Sequence, residues 1–312
     1  MPQAMPPRAA VVPAELEGPV DRAVRALFGA SWGKARAWVQ GGKVRVGGAI
    51  VTESTARVAV GAEIVLDQGA PRQRPGELRD ADVTYADAQV LVVAKPAGVS
   101  TVPYDEADTD TLDARVRAWL QRRRLAPRGA RPSLGVVHRL DKETTGLVVF
   151  TRTWLAKESL AGQFRRHTVH RRYMAVAYGD VTPGTMRTFL VEDRGDGLRG
   201  STRDPKRRGQ DAREAVTHVE QIERLARATL VACRLETGRT HQIRIHLSES
   251  GHPLVGERVY IRGFAGPLID APRLMLHAAE LGFVHPATER EMRWEQPLPD
   301  DMQAILARLR AR

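Results

Sequence analysis

Apolar and polar positions along this 312-residue chain follow one pattern up to about residue 67 and another beyond residue 82. In the first part, Val20, Ala23, Val24 and Leu27 recur at helical spacing within VDRAVRALF, just after Pro19. Ser31 is placed to cap a second short helix, SWGKARAWVQ, which the pair Gly41-Gly42 stops. KVRV, the turn Gly47-Gly48 and AIV then predict a β-hairpin. Residues 1–17 are rich in Pro and Ala without usable period, and are expected to be a flexible arm. A compact unit over 18–67 follows. The stretch 68–82, rich in Pro, Gly and charge with no apolar face, is expected to be a linker.

Beyond it, short apolar runs alternate with amphipathic ones. Strands are predicted at VLVVA (90–94), LVVF (147–150), YMAVAYG (173–179) and TLVACRL (229–235). Helices are predicted at TLDARVRAWL (111–120), LAKESLAGQF (155–164) and AILARLRAR at the C-terminus. Strict strand–helix alternation fails after residue 173. The expected class is therefore α+β, with residues 83–312 forming one domain on a mixed, largely antiparallel sheet flanked by helices.

Composition narrows the partner. The balance of 48 Lys+Arg against 37 Asp+Glu leaves a net charge of +11, which favours a polyanion, nucleic acid first. Arg22, Lys34, Arg36, Lys43 and Arg45 occupy polar positions of the N-terminal unit. Aromatic residues make up only 5%, too few for a platform that stacks long single strands, so a folded nucleic acid is the better fit. Basic runs at 121–131, 164–172 and 205–209 are candidates for holding phosphates. The single cysteine, Cys233, lies in a strand-like run, which excludes a disulfide framework within the chain and suits a reducing cytoplasm. No apolar stretch has the length of a signal-peptide core or a membrane span, so neither export nor a membrane partner is expected.

The chemistry concentrates in HRLDKETTGLVVF, His138 to Phe150. Asp141 stands just ahead of a buried strand, where a rigid scaffold can aim a carboxylate into a cleft. The same residue could also cap a turn or pair with Arg139. A second dense run, LETGRTHQIRIHL (235–247), carries Arg239, His241, Arg244 and His246 at the start of a predicted helix ending near Gly251. Arg244 facing Asp141 would favour the ionised carboxylate, ready as a nucleophile. His241 and His246 are five apart and no cysteine accompanies them, so structural histidines fit better than zinc ligands.

HRLDKETTG resembles the H-R-L-D-x-x-T-S-G signature of the large-subunit family of RNA pseudouridine synthases. KPAGVSTVP (95–103), RRYMAVAYG (171–179), LETGRTHQIRIHL, GHPLVGERVY (251–260) and LMLHAAELGFVHP (274–286) resemble further segments of that family in the same order. Residues 19–67 resemble the small RNA-binding domain first known from ribosomal protein S-four, through a helix pair followed by G-x-V-x-V-x-G. The departures are small: Thr145 stands where serine is commoner and Glu257 where aspartate is commoner.

The resemblance implies an isomerase that breaks the bond from ribose to uracil, turns the base and rejoins it through carbon five, with no cofactor. It implies Asp141 as the catalytic carboxylate, Tyr173 as the ring stacked on the target base and Arg244 as the cation paired with the aspartate. Arg139 resembles the arginine that fills the gap left by the flipped nucleotide. His138, Arg239, Lys34, Arg36 and Lys43 join it as candidate RNA contacts, while Lys142 and Glu143 are expected to be replaceable surface charges. The expected substrate is large-subunit ribosomal RNA, with transfer RNA second, and the expected state is a monomer. A non-catalytic RNA-binding protein and a carboxylate-pair glycoside hydrolase using Asp141 and Glu143 are the competing readings.

Overall fold

The computed structural model describes residues 6–51, 54, 56–70, 76–105, 108–126, 131–202 and 211–311. The chain divides into two compact units, Met1–Glu77 with Val102–Arg115, and Leu78–Thr101 with Val116–Arg312.

In the first unit, the helices Val20–Phe28 and Trp32–Gln40 form where the spacing predicts them, and the Ser31 hydroxyl accepts from the Lys34 amide at 3.3 Å. Val20, Ala23, Val24 and Phe28 bury one face against Ala35, Val39, Val44, Ile64 and Leu66. Such a stripe, at roughly 1.5–3 kcal/mol per large apolar side chain, is what holds a unit this small together. The hairpin Val44–Val46 and Ala49–Val51 is joined by Glu63–Leu66 and by Arg8–Val11, giving a four-stranded sheet. Arg8–Val11 thus lies in a sheet and not in a loose arm, because its backbone pairs antiparallel with Glu63–Leu66 and Val12 is buried in the core. Val102–Arg115, expected in the second domain, groups here: the Asp110 carboxylate accepts from the Gly76 amide at 3.0 Å and pairs with Arg115 at 2.7 Å.

Among the described residues the second unit is built on an eleven-stranded sheet. Its order runs Gly200–Ser201, Gly184–Val191, Arg213–Arg224, Ala228–Leu235, His170–Tyr178, Leu276–Val284, Thr145–Thr151, Val90–Lys95, Val83–Ala86. Glu291–Glu295 pairs with Leu276–Val284, and Gly135–Val136 with Thr145–Thr151. Among the described residues one pairing is parallel, Thr145 with His277 and Gly146 with Ala278; the others are antiparallel, as the expected class requires. Thr145–Thr151 is buried along its whole length, which explains the unbroken apolar run. The helix Trp154–Arg165 packs Ala156 and Leu160 on Leu147, Val149 and Leu281. The helix Asp300–Arg310 packs Met302, Ile305, Leu306 and Leu309 on Val176, Tyr178 and Leu230.

Gly184–Val191 and Arg213–Arg224 escaped the apolar pattern because polar residues interrupt both strands. Gly146 has φ +113°, and a Cβ there would lie 2.2 Å from the Ala278 carbonyl oxygen. Only glycine allows the parallel strands this approach immediately behind the charged run.

Candidate active site

Asp141 sits at the wall of a cavity of about 720 Å³ in the second unit, also lined by His138, Arg139, Arg171, Tyr173, Arg239, His241 and Arg244. Its place is fixed by the backbone on both sides. The Thr101 hydroxyl donates to the Leu140 carbonyl at 3.0 Å and accepts from the Leu140 amide at 3.1 Å. Lys95, 2% exposed, donates Nζ to the carbonyls of Pro96, Val99 and Lys142 at 2.9, 2.7 and 2.8 Å. Burial pulls its ammonium down to about 7, against the opposing charges of Glu143 and Asp141. The segment 95–101 therefore clamps the carboxylate's loop from beneath. Lys142 and Glu143 are half-buried, and the Lys142 backbone carbonyl is part of that clamp.

Arg244 comes from the predicted helix, observed as Gln242–Glu249. One guanidinium nitrogen stands 3.5 Å from Asp141 Oδ2. Its closer partner is Glu257, which takes a bidentate pair at 2.8 and 2.7 Å with its own side chain fully buried. Burial opposes the Arg244 charge, but the bonds and charge of Glu257, with Asp141 behind them, hold the guanidinium above its usual value. Glu257 is driven below the usual carboxylate range by Arg244 and by backbone amides, in spite of its burial. The aspartate–arginine pairing expected from the sequence is thus the outer half of an Asp141–Arg244–Glu257 array. The glutamate in place of the commoner aspartate keeps the bidentate grip.

His241, expected to be purely structural, caps this helix in a left-handed conformation at φ +59°. Its Nδ1 is 2.7 Å from the Tyr260 hydroxyl, and Nε2 is 3.9 Å from Asp141 Oδ1. Burial lowers the imidazole, with Asp141 opposing, so the neutral ring dominates near neutrality. His246 lies elsewhere, between the hydroxyls of Thr188 and Thr217 at 2.9 Å each.

Tyr173 is 7% exposed in the strand His170–Tyr178, and burial lifts its phenol above the usual range. His138 shares the cavity as a scaffold: its Nε2 accepts from the Val149 amide at 3.0 Å and its ring stacks on Phe164. Burial, then the charge of Arg171, pushes it down to about 3, so His138 is a neutral ring and offers no cation. Arg139 and Arg239 are exposed at the cavity; Arg139 donates to the Thr240 hydroxyl at 3.2 Å and Arg239 Nε to the Glu214 carbonyl at 3.0 Å.

Lys34, Arg36 and Lys43 belong to the first unit and line no part of this cavity. Lys34 lies over the Trp38 ring, Arg36 pairs with Asp21 at 3.0 Å and Lys43 donates to the Ala70 carbonyl. The basic run 205–209 falls outside the described residues, as does part of 121–131. Lys95, Thr101, Glu257 and Tyr260 complete the site without having been singled out for it. Their signal was present in the KPAGVSTVP and GHPLVGERVY segments.

A sequence model described as RNA pseudouridylate synthase matches residues 89–249. Ribosomal large subunit pseudouridine synthase D of Pseudomonas aeruginosa is 36% identical, covering 97% of this chain and 96% of that protein. An uncharacterised RNA pseudouridine synthase of Bacillus subtilis is 37% identical, covering 88% of each. Among solved structures, human RNA pseudouridylate synthase domain containing 4 superposes with a TM-score of 0.58 at 24% identity, covering 74% of this chain and 93% of that one, a likeness of fold. A matched segment containing both Asp141 and Arg244, with relatives aligned over nearly the full length, leads to one assignment: the chain belongs to the RNA pseudouridylate synthase family and is an isomerase that converts uridine in RNA to pseudouridine.

Proposed function

We propose that the chain isomerises specific uridines of folded large-subunit ribosomal RNA, with Asp141 as its catalytic carboxylate. The observation that carries this reading is the Asp141 carboxylate facing Arg244 at 3.5 Å on the wall of a cavity that Tyr173 also lines. The target nucleotide leaves its stack at a cost of roughly a few kcal/mol, part of which stacking on Tyr173 returns. Asp141 then acts as nucleophile or charge partner near the glycosidic bond, and the cavity walls keep the detached base from escaping. Arg244 orients and balances Asp141. Exposed Arg139 fills the gap in the RNA, and Arg239 holds neighbouring phosphates.

Residues 18–67 supply a second RNA contact through Lys34, Arg36 and Lys43, and the enzyme works as a cytoplasmic monomer. The net charge of +11 and the relatives named for the large ribosomal subunit support the choice of RNA. Among the described residues no helix is long and apolar enough to cross a membrane.

Asp141→Asn is expected to abolish pseudouridine formation while leaving RNA affinity within about threefold, because the change removes the charge and keeps the shape. Nucleotide-resolution mapping of pseudouridine in cells with and without the gene is expected to show lost sites in large-subunit ribosomal RNA. Sites lost only from transfer RNA would overturn the substrate, and an active Asp141→Asn variant would overturn the site.

A further inference from the structure

Arg171 is a buried cation that none of the roles above uses. It stands two residues before Tyr173 on the same strand, so both side chains leave the same face of the sheet, and both line the cavity with Asp141. It is 7% exposed. Its two hydrogen bonds go to neutral acceptors, the carbonyls of Leu235 at 3.4 Å and Glu236 at 3.1 Å. Nε is buried with no partner among the described residues. The neighbouring Arg172 is built differently, paired with Glu280 and Glu220, as is Arg244 with Glu257. Taking a guanidinium out of water without a counter-charge is costly, and buried charges with perturbed titration cluster at functional sites.

The surroundings hold the group in place. Its guanidinium carbon lies 5.4 Å from the centre of the Phe164 ring, and a Cβ on Gly238 would sit 2.8 Å from its Nη1. Burial raises the Tyr173 phenol, Arg171 pulls it back and Asp141 pushes it further, so both charges are felt at this ring. The phosphates of a bound RNA stay on the backbone, where exposed Arg139, Arg165 and Arg239 stand at the cavity. The base, stacked on Tyr173, goes deeper.

The anion that forms there is the base itself. When the bond from C1′ to N1 breaks, its electron pair leaves with uracil, and the negative charge spreads over the ring and its carbonyl oxygens. C5 then returns an electron pair to C1′, loses its proton, and N1 takes one up, so the net change is an isomerisation. We propose that Arg171 is a further catalytic residue, whose guanidinium binds a carbonyl oxygen of the flipped uracil and stabilises the charge the base carries while detached. This rests on the family's reaction and on Asp141 marking its centre.

The test uses the full chain and a large-subunit ribosomal RNA transcript in which the wild-type protein forms pseudouridine, so a variant's failure is separate from a wrong target. Single-turnover rates at saturating protein and RNA dissociation constants are measured side by side. Arg171→Met is expected to slow the saturated rate by about 100-fold, the size typical for one donor to a developing anion, with Kd within about threefold. Arg171→Lys, which keeps the charge, is expected to recover at least about tenfold of that loss. Gly238→Ala, which displaces the guanidinium from outside, is expected to fall between the wild type and Arg171→Met with the same split. A weakened Kd with an unchanged saturated rate would make Arg171 a phosphate contact and overturn the proposal. If Arg171→Met does not fold, a saturated rate within about threefold of wild type for Arg171→Gln overturns it equally.

Discussion

At the level of single residues, the site is a chain of charges graded by burial. Asp141 is one-fifth exposed, Arg244 about one-tenth, and Glu257 fully buried, in that order from cavity to core. Glu257 is the anchor, because Arg244 cannot keep its distance from Asp141 without the bidentate grip behind it. Glu257→Ala leaves a buried guanidinium with only the longer contact to Asp141 and is expected to cost about 3 kcal/mol of stability, measured by urea unfolding, and to reduce the catalytic rate. Glu257→Asp, the commoner family residue, is expected to retain both. His138 provides a pH signature. Its imidazole is held near 3 in the folded chain against about 6.5 when unfolded, so the unfolded state binds the extra proton between these values. Its contribution is whole above pH 6.5 and is lost as the pH falls toward 3. Between pH 7.5 and 5.0 the wild type is expected to lose about 2 kcal/mol through this group, and His138→Gln to show a correspondingly flatter dependence. Asp141 and Arg244 were legible as residues from their motifs. Their geometry was less so, since Glu257, thirteen positions beyond Arg244, comes beside it only through the fold.

Secondary-structure elements succeeded as predictions where one periodicity acted alone. Val20–Phe28 and Trp32–Gln40 begin and end where apolar spacing and the Ser31 cap put them. Thr145–Thr151 was visible as an unbroken apolar run because both its faces are covered. Leu276–Val284 carries the parallel partner of that strand, yet nothing local announces a pairing across 132 positions, as between Thr145 and His277. At this junction Gly146 faces the Ala278 backbone with no room for a side chain. Gly146→Ala is expected to destabilise the protein by at least about 2 kcal/mol, since the new Cβ meets a backbone carbonyl in a conformation that disfavours side chains. Comparing urea midpoints of the two proteins tests it. Arg8–Val11 shows the opposite failure. A Pro/Ala-rich stretch with no period of its own still becomes a strand when Glu63–Leu66 offers a free edge.

For the molecule as a whole, charge and fold carry separate messages. The excess of +11 predicts an RNA affinity dominated by released counterions. The dissociation constant for a ribosomal RNA transcript is expected to weaken by at least about tenfold between 50 and 200 mM salt, read by fluorescence anisotropy. A much flatter response would remove the electrostatic account of binding. The sequence by itself determined the class of fold, the polyanionic partner, and through HRLDKETTG and QIRIH the two ends of the Asp141–Arg244 pair, because composition, period and short motifs are local properties. Tertiary structure decided what those residues do to one another. It put Glu257 behind Arg244, turned His241 toward Asp141, set Lys95 beneath the loop and left Arg171 buried beside Tyr173 with its Nε unpartnered among the described residues. Each of these depends on which backbone groups and charges share a low-dielectric space, and no window along the chain records that.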